Sequence, residues 1–301
     1  MEFIEYSEEV KNALQNNKSI IAIETGGTFE GIPYPENVET AKNVMDAVRN
    51  TGAVPAYIAI MNGKIKVGMS DAEIEDFGKR RGTMPKASRR EIPLLLAKNE
   101  YGVMTLAATM AVANMVGIPV VSGGGMGGVH RGAEDTMDIS SDLEEVAVQN
   151  VVVVCSGAKS ILDLNLTMEY LETKSVPVIG YKTNEMPAYM AITSGIKLPC
   201  KMDTVEEVAK AYKIKNELNI PGGMILMNPI SEEYAVDANQ MNSAIDEAIE
   251  KSKIDNVTGK AITGYLMKYV KEKLGADSME AQKKMLLDNA ILAADLSNAI
   301  K

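Results

Sequence analysis

Four consecutive valines, Val151–Val154, run straight into Cys155-Ser-Gly-Ala-Lys159-Ser160. A short, unbroken apolar run that stops at small residues is the pattern of a strand buried on both faces of a parallel sheet. Parallel neighbours need crossover connections, so a chain built on such a strand must alternate strands with helices. The remaining sequence follows that rule. Apolar segments at about 20–24, 54–60, 118–122, 151–155, 176–180 and 223–227 alternate with helical patterns such as Asn37–Arg49 and the stretch opened by Thr204. The expected fold is α/β: a mostly parallel sheet with helices on both faces (α/β/α) and a helical C-terminal region over roughly the last 65 residues. No linker, repeat or low-complexity segment interrupts the pattern, so one domain over residues 1–301 is expected.

Local signals fill in the frame. Phe3, Tyr6, Val10 and Leu14 fall on one helical stripe and predict a helix over 3–16. Asn62-Gly63 between apolar runs predicts a hairpin. Ser70-Asp-Ala-Glu73 is a capping box. Residues 91–115 read as one or two buried helices, and the Gly- and Pro-rich TGGTFEGIPYPE as loop.

Composition narrows the function classes. Lys and Arg total 31 against 41 Asp and Glu, a net charge of −10, which argues against a broad nucleic-acid-binding face. Tryptophan is absent and aromatics are 5%, so there is little material for stacking on single strands. The two cysteines, Cys155 and Cys200, form no CxxC, which points to a reducing compartment without a zinc knuckle. No apolar run reaches membrane-spanning length and the first residues are acidic, so the expectation is a cytoplasmic protein that does not engage the membrane. A small anionic substrate stays open, because a local donor cluster binds phosphate even on an acidic protein.

In an open parallel sheet, ligands bind at the carboxyl ends of the strands. Four features gather there. Glu24 ends a strand just before the Gly-rich loop, as a catalytic acid or as a solvated loop acid. Ser122-Gly-Gly-Gly-Met-Gly-Gly128 brings backbone N–H groups close together without matching a Rossmann fingerprint or a P-loop. Thr136–Asp142 offers hard oxygen ligands in Asp138, Ser140, Ser141 and Asp142, which suit a divalent ion or simply cap the following helix. Lys159 falls at the turn where a helix is expected to begin. The positive end of a helix favours the free amine there, and the competing reading is a surface lysine. His130, the single histidine, reads as structural or as an acid–base group. The one basic stretch, Gly78–Arg90, offers Lys86, Ser88 and Arg89 as phosphate ligands.

At these residues the sequence resembles the pseudouridine-5′-phosphate glycosidases, the family that includes indigoidine synthase A-like proteins. The carrying segments span nearly the whole chain: IPYPENVETA (32–41), NGKIKVG (62–68), KASRRE (86–91), LAATM (106–110), GGMGGVHRGAEDTMDISSDL (124–143), SGAKSILDL (156–164), MEYLET (168–173), VPVIGY (176–181), SGIKLPC (194–200) and DNAILAA (288–294). The resemblance implies reversible cleavage of the C–C glycosidic bond of pseudouridine 5′-phosphate to uracil and ribose 5-phosphate. It implies Lys159 as a Schiff-base nucleophile at ribose C1′ and Glu24 as proton donor. Asp138 becomes the metal position, with Mn²⁺ or another divalent ion. Lys86, Leu106, Ser140, Ser141, Asp142 and Asn289 become substrate contacts, with Asn289 facing the base. A homotrimer is implied as well. Departures from the family pattern lie at Thr25–Glu30, where Glu30 stands for a usual His, in Ile262–Met267, and at Asp288. They bear on which ring and which sugar phosphate are used. The alternatives are a related C-glycosidase or C-glycosynthase acting on another base, and a non-catalytic nucleotide-phosphate binder.

Overall fold

The computed structural model describes residues 2–258 and 261–301. Among these, eleven strands form one sheet. Its parallel centre runs in the spatial order Val54–Met61, Ile20–Glu24, Val120–Ser122, Val152–Cys155, Met224–Met227, Val178–Tyr181, Cys200–Met202. Val153 sits between Val121 and Ile225, which fixes the valine run at the middle of the sheet. Every residue of that strand is buried, and one apolar cluster lies on each sheet face. The chain is therefore α/β with helices on both faces, and the last 64 residues carry three helices, Ala238–Ile254, Ile262–Leu274 and Ala276–Ile300.

The final helix lies directly on the sheet because its inner positions are small. Ala290, Ala293, Ala294 and Ser297 are buried, and the Ser297 hydroxyl donates to the Ile20 carbonyl at 3.1 Å. Close approach of this kind needs residues without long side chains at the contact. The Asn62-Gly63 hairpin forms as expected, with both residues at positive φ (49° and 71°), which is the two-residue turn that matches strand twist. The Ser70–Glu73 capping box is also present.

Four local expectations change. Residues 3–16 do not form one helix. Ile4–Tyr6 is an edge strand paired with Lys64–Val67, and Ser7 then caps the helix Glu8–Gln15. Phe3 and Leu14 stay exposed, so the apparent stripe has no core to face. Within 91–115, a strand, Gly102–Met104, separates two helices, because it completes pairing beside Val54–Met61. Gly26–Glu30 is a π-helical turn rather than open loop. Lys159 does not start a helix. Asp163 caps the helix Leu164–Thr173, and Leu162–Asp163 first pairs with Val129–His130. Lys159 thus sits in a loop ahead of the first helical turn, where the dipole of that helix has faded.

Candidate active site

The site grows from the amino end of the helix Leu106–Met115. Thr105 caps it by accepting the Ala108 N–H. Its first N–H groups have no partner within the helix, and two carboxylates take them. The Leu106 N–H is directed at Glu24, and the Ala107 N–H donates to Asp142 Oδ1 at 2.8 Å. The other Asp142 oxygen accepts the Gly127 N–H at 2.7 Å. Asp142 therefore locks the glycine loop to the helix end, with both oxygens committed to backbone. Ser140 caps the next helix by accepting the Asp142 N–H.

Glu24 is 7% exposed at the end of its strand. The backbone crowds it: a Cβ at Gly26 would lie 3.0 Å from Oε1, and one at Gly123 would lie 3.2 Å from Oε2. Glycine at both positions is what lets the chain fold around the carboxyl. Burial lifts its pKa to about 7, and Asp142 pushes the same way. Lys159, Lys86 and the Leu106 N–H oppose the rise. A carboxyl poised near neutrality both holds and releases a proton at working pH.

Lys159 approaches from the loop after the valine strand. Its N–H donates to the Met126 carbonyl, and Gly157 reaches its turn with φ at 77°. A Cβ at Gly157 would collide with the Pro187 carbonyl, so the lysine loop is pressed between the glycine loop and the 186–191 segment. Neighbouring Ser160 donates to the Ala188 carbonyl at 2.6 Å.

Glu24, Lys86, Leu106, Asp138, Ser140, Ser141, Asp142 and Lys159 all line one cavity of 730 Å³. The sheet rule thus brings together eight of the nine residues singled out from sequence. The ninth, Asn289, lies elsewhere. It is fully buried behind the glycine loop, donating to the Gly123 and Gly124 carbonyls (2.9 and 3.1 Å) and accepting from Asn228 at 3.0 Å. Its amide braces the glycine loop from behind. Asp142, in the cavity wall, has both oxygens on backbone N–H groups.

The cavity includes groups that the sequence left undecided. His130 lines it at 7% exposure, its Nε2 3.0 Å from the Thr263 hydroxyl. Burial holds its pKa down, Asp138 raises it, and Lys159 and Lys86 lower it further. Glu145, 3% exposed in its side chain, pairs with Arg89 at the same wall. Its burial was invisible in a sequence where Glu145 reads as one more helix-surface acid. Asp138 is half-buried and lines the cavity together with Ser140 and Ser141. Among the described residues no group of three or more His, Cys, Asp or Glu converges. A hard divalent ion fits this oxygen-donor set only with its other positions filled by water or substrate.

Comparison with known proteins converges on one family. Residues 9–299 match the model of the indigoidine synthase A like proteins. A pseudouridine-5′-phosphate glycosidase of Clostridium botulinum is 47% identical over 98% of this chain and 96% of its own. The Escherichia coli protein of the same name is 44% identical over 98% and 95%. Two solved structures superpose closely. The prealnumycin C-glycosynthase AlnA, in complex with ribulose 5-phosphate, gives a TM-score of 0.91 at 38% identity, covering 100% of this chain and 97% of its own. An indigoidine synthase A-like protein of Thermotoga maritima gives 0.88 at 32%, covering 98% and 95%. With the fold and the full-length similarity in agreement, this chain belongs to the indigoidine synthase A-like family.

Proposed function

We propose that this protein is a pseudouridine-5′-phosphate glycosidase, cleaving the C–C glycosidic bond with water to give uracil and ribose 5-phosphate. The observation that carries the reading is the buried Glu24, near neutrality, in the electrostatic field of Lys159 within one polar cavity. The naming of relatives at 44–47% identity supports the substrate.

The chemistry runs as follows. The Lys159 amine attacks ribose C1′ while the bond from C1′ to the ring oxygen breaks, and Glu24 gives that oxygen its proton. The proton shed by the lysine nitrogen returns to Glu24, which passes it to the base carbon bonded to C1′. The electron pair of the C1′–C bond then restores the conjugation of the base, and the lysine lone pair forms the C1′=N bond. Water adds to this imine and releases ribose 5-phosphate and the free amine. Lys86, Ser141 and His130 hold the phosphate end. Asp138, with Ser140 and Ser141 nearby, would hold Mn²⁺ or another divalent ion, whose charge would offset that of the phosphate. The protein works as a cytoplasmic homotrimer in this reading. No helix among the described residues is long and apolar enough to cross a membrane.

Incubation with pseudouridine 5′-phosphate and Mn²⁺ should release uracil. Borohydride with ribose 5-phosphate should leave a reduced sugar phosphate on Lys159, read by peptide mass. Folded protein that does neither refutes the reading. A second reading, favoured by the similarity to a C-glycosynthase, is C–C bond formation between a sugar phosphate and another ring. A panel of rings assayed in the synthetic direction separates the two.

A further inference from the structure

The π-helical turn Gly26–Glu30 begins two residues after Glu24 and wraps its carboxyl. A Cβ at Gly26 would lie 3.0 Å from Oε1, and one at Gly27 would lie 3.6 Å from Oε2. Two side chains from the C-terminal helices grip this turn. Gln282, in the helix Ala276–Ile300, donates its amide N–H to the Gly27 carbonyl at 2.6 Å. Lys271, in the helix Ile262–Leu274, donates to the Gly31 carbonyl at 2.8 Å. Gly31 also passes close to the first of these bonds, where a Cβ would lie 2.1 Å from the Gln282 Nε2. Gln282 is 1% exposed, and its Oε1 has no hydrogen-bond partner among the described residues. A buried acceptor left unpaired is costly and uncommon in native folds. An apolar side chain of the same length would avoid that cost. What the glutamine supplies, and such a side chain cannot, is the bond to Gly27.

We propose that Gln282 and Lys271 are positioning residues for Glu24, clasping the Gly26–Glu30 turn so that the carboxyl stays enclosed while it transfers its proton. This inference rests on the C-glycosidase reading. Neither side chain lines the cavity, so both act through the turn. The far side of the turn is anchored by Phe29, packed edge-on against Tyr57 and Phe77. The Gly26-Gly27 side, which faces Glu24, has no side chain to pack and depends on the clasp. Without it, these glycines are free to move off the carboxyl and let water in. Burial is what holds the Glu24 pKa up, so the carboxyl then titrates lower. The charged groups that face it, Lys159, Lys86 and Asp142, and the Tyr189 phenol, are untouched by the change. Near neutral pH, a smaller share of Glu24 then carries the proton it must donate.

The test compares wild type with Gln282→Met, which keeps the side-chain length and removes both the donor and the unpaired acceptor. Three readouts are taken: kcat and KM for pseudouridine 5′-phosphate against pH, melting temperature, and titration of the Glu24 carboxyl by infrared difference spectroscopy, its band identified by its loss in Glu24→Gln. Gln282→Met should lower kcat about tenfold at neutral pH with KM held. The falling limb of kcat and the Glu24 midpoint should both move down by about one pH unit. Melting temperature should stay near wild type, because the lost bond and the removed orphan offset each other. Lys271→Met should act in the same direction, although loss of a cation alone would move a carboxyl upward. Unmoved kcat, or a Glu24 midpoint that stays or rises, in folded Gln282→Met overturns the inference. If that variant does not fold, Lys271→Met is read by the same criteria. If wild type neither releases uracil nor is trapped by borohydride with ribose 5-phosphate, the functional reading falls. The Glu24 titration then decides the clasp by itself, and equal midpoints in wild type and variant overturn it.

Discussion

Glu24 and Asp138 are both carboxylates at the carboxyl edge of one sheet, facing one cavity, yet their surroundings differ in kind. Glu24 is 7% exposed, with backbone close on two sides and its pKa lifted to about 7 by burial. Asp138 is half-buried in a stretch of wall that Ser140 and Ser141 also line. The difference teaches how one cavity divides its work. The Glu24 end is closely enclosed by backbone, where bond-making chemistry gains most from fixed dipoles. The Asp138 end keeps side chains hydrated and exchangeable, which suits a charged phosphate and an ion that must come and go.

The largest effects should fall at the sealed end. Lys159→Ala removes the only nitrogen in the covalent route and should cut uracil release by ~10⁴-fold or more while leaving the fold intact. Retained activity would end the division of labour, because chemistry would then need no group from this loop. Glu24→Gln should cost ~10²–10⁴-fold, the usual worth of a positioned proton donor. Its pH behaviour is sharper still. The pKa of Glu24 is raised by folding, so the proton it donates is present below about 7 and lost above. Wild-type cleavage should show a limb falling through about 7 that Glu24→Gln lacks. The same linkage acts on stability. A raised carboxyl favours the folded state below its unfolded value of 4.5, and that advantage is lost as pH rises to about 7. Glu24→Gln should therefore gain stability over wild type between pH 4 and 8, by as much as ~3 kcal/mol. A constant difference in melting temperature across that range would show that Glu24 is not buried as described.

The unequal legibility of the two ends has a physical cause. The valine run, the strand–helix alternation and the sheet rule placed Glu24, Lys159 and the glycine loop on one edge, because a parallel sheet leaves few alternatives. Asp142 and Asn289 were harder to read. Their residue types permit ligand contact, but their oxygens and nitrogens are committed to N–H and carbonyl groups far away in sequence, from Ala107, Gly127, Gly123 and Gly124. Side-chain satisfaction of this kind is set by tertiary approach and leaves no local pattern. The helix end expected at Lys159 failed for a related reason. Asp163, a better cap, lies four residues on, and the intervening chain pairs with Val129–His130 instead.

Asn289 gives a middle-sized test of the same contrast. Replacement by alanine strips the Gly123 and Gly124 carbonyls and the Asn228 amide of partners in a buried setting. Unsatisfied groups of that kind cost ~1–3 kcal/mol each, less whatever water recovers. Asn289→Ala should lower the melting temperature by several degrees. It should also reduce kcat moderately, through a looser glycine loop around Glu24. A variant that kept its melting temperature and lost only affinity for the base would restore Asn289 to the ligand side.

The smallest effect belongs to the open end. Ser141 is exposed, its hydroxyl 3.4 Å from that of Ser88 in the cavity mouth. Removing it by Ser141→Ala leaves no buried group unpaired, so melting temperature should not move. In the proposed reaction the phosphate does not change charge during cleavage, so a Ser141 contact with it would be equal in ground and transition states. Such uniform binding appears in KM alone. One hydrogen bond to a charged group in a hydrated setting predicts a rise of about fivefold in KM with kcat held. A fall in kcat from so exposed a residue would mean that the phosphate end shifts during the reaction, and the separation between a fixed chemical end and an exchangeable binding end would no longer hold.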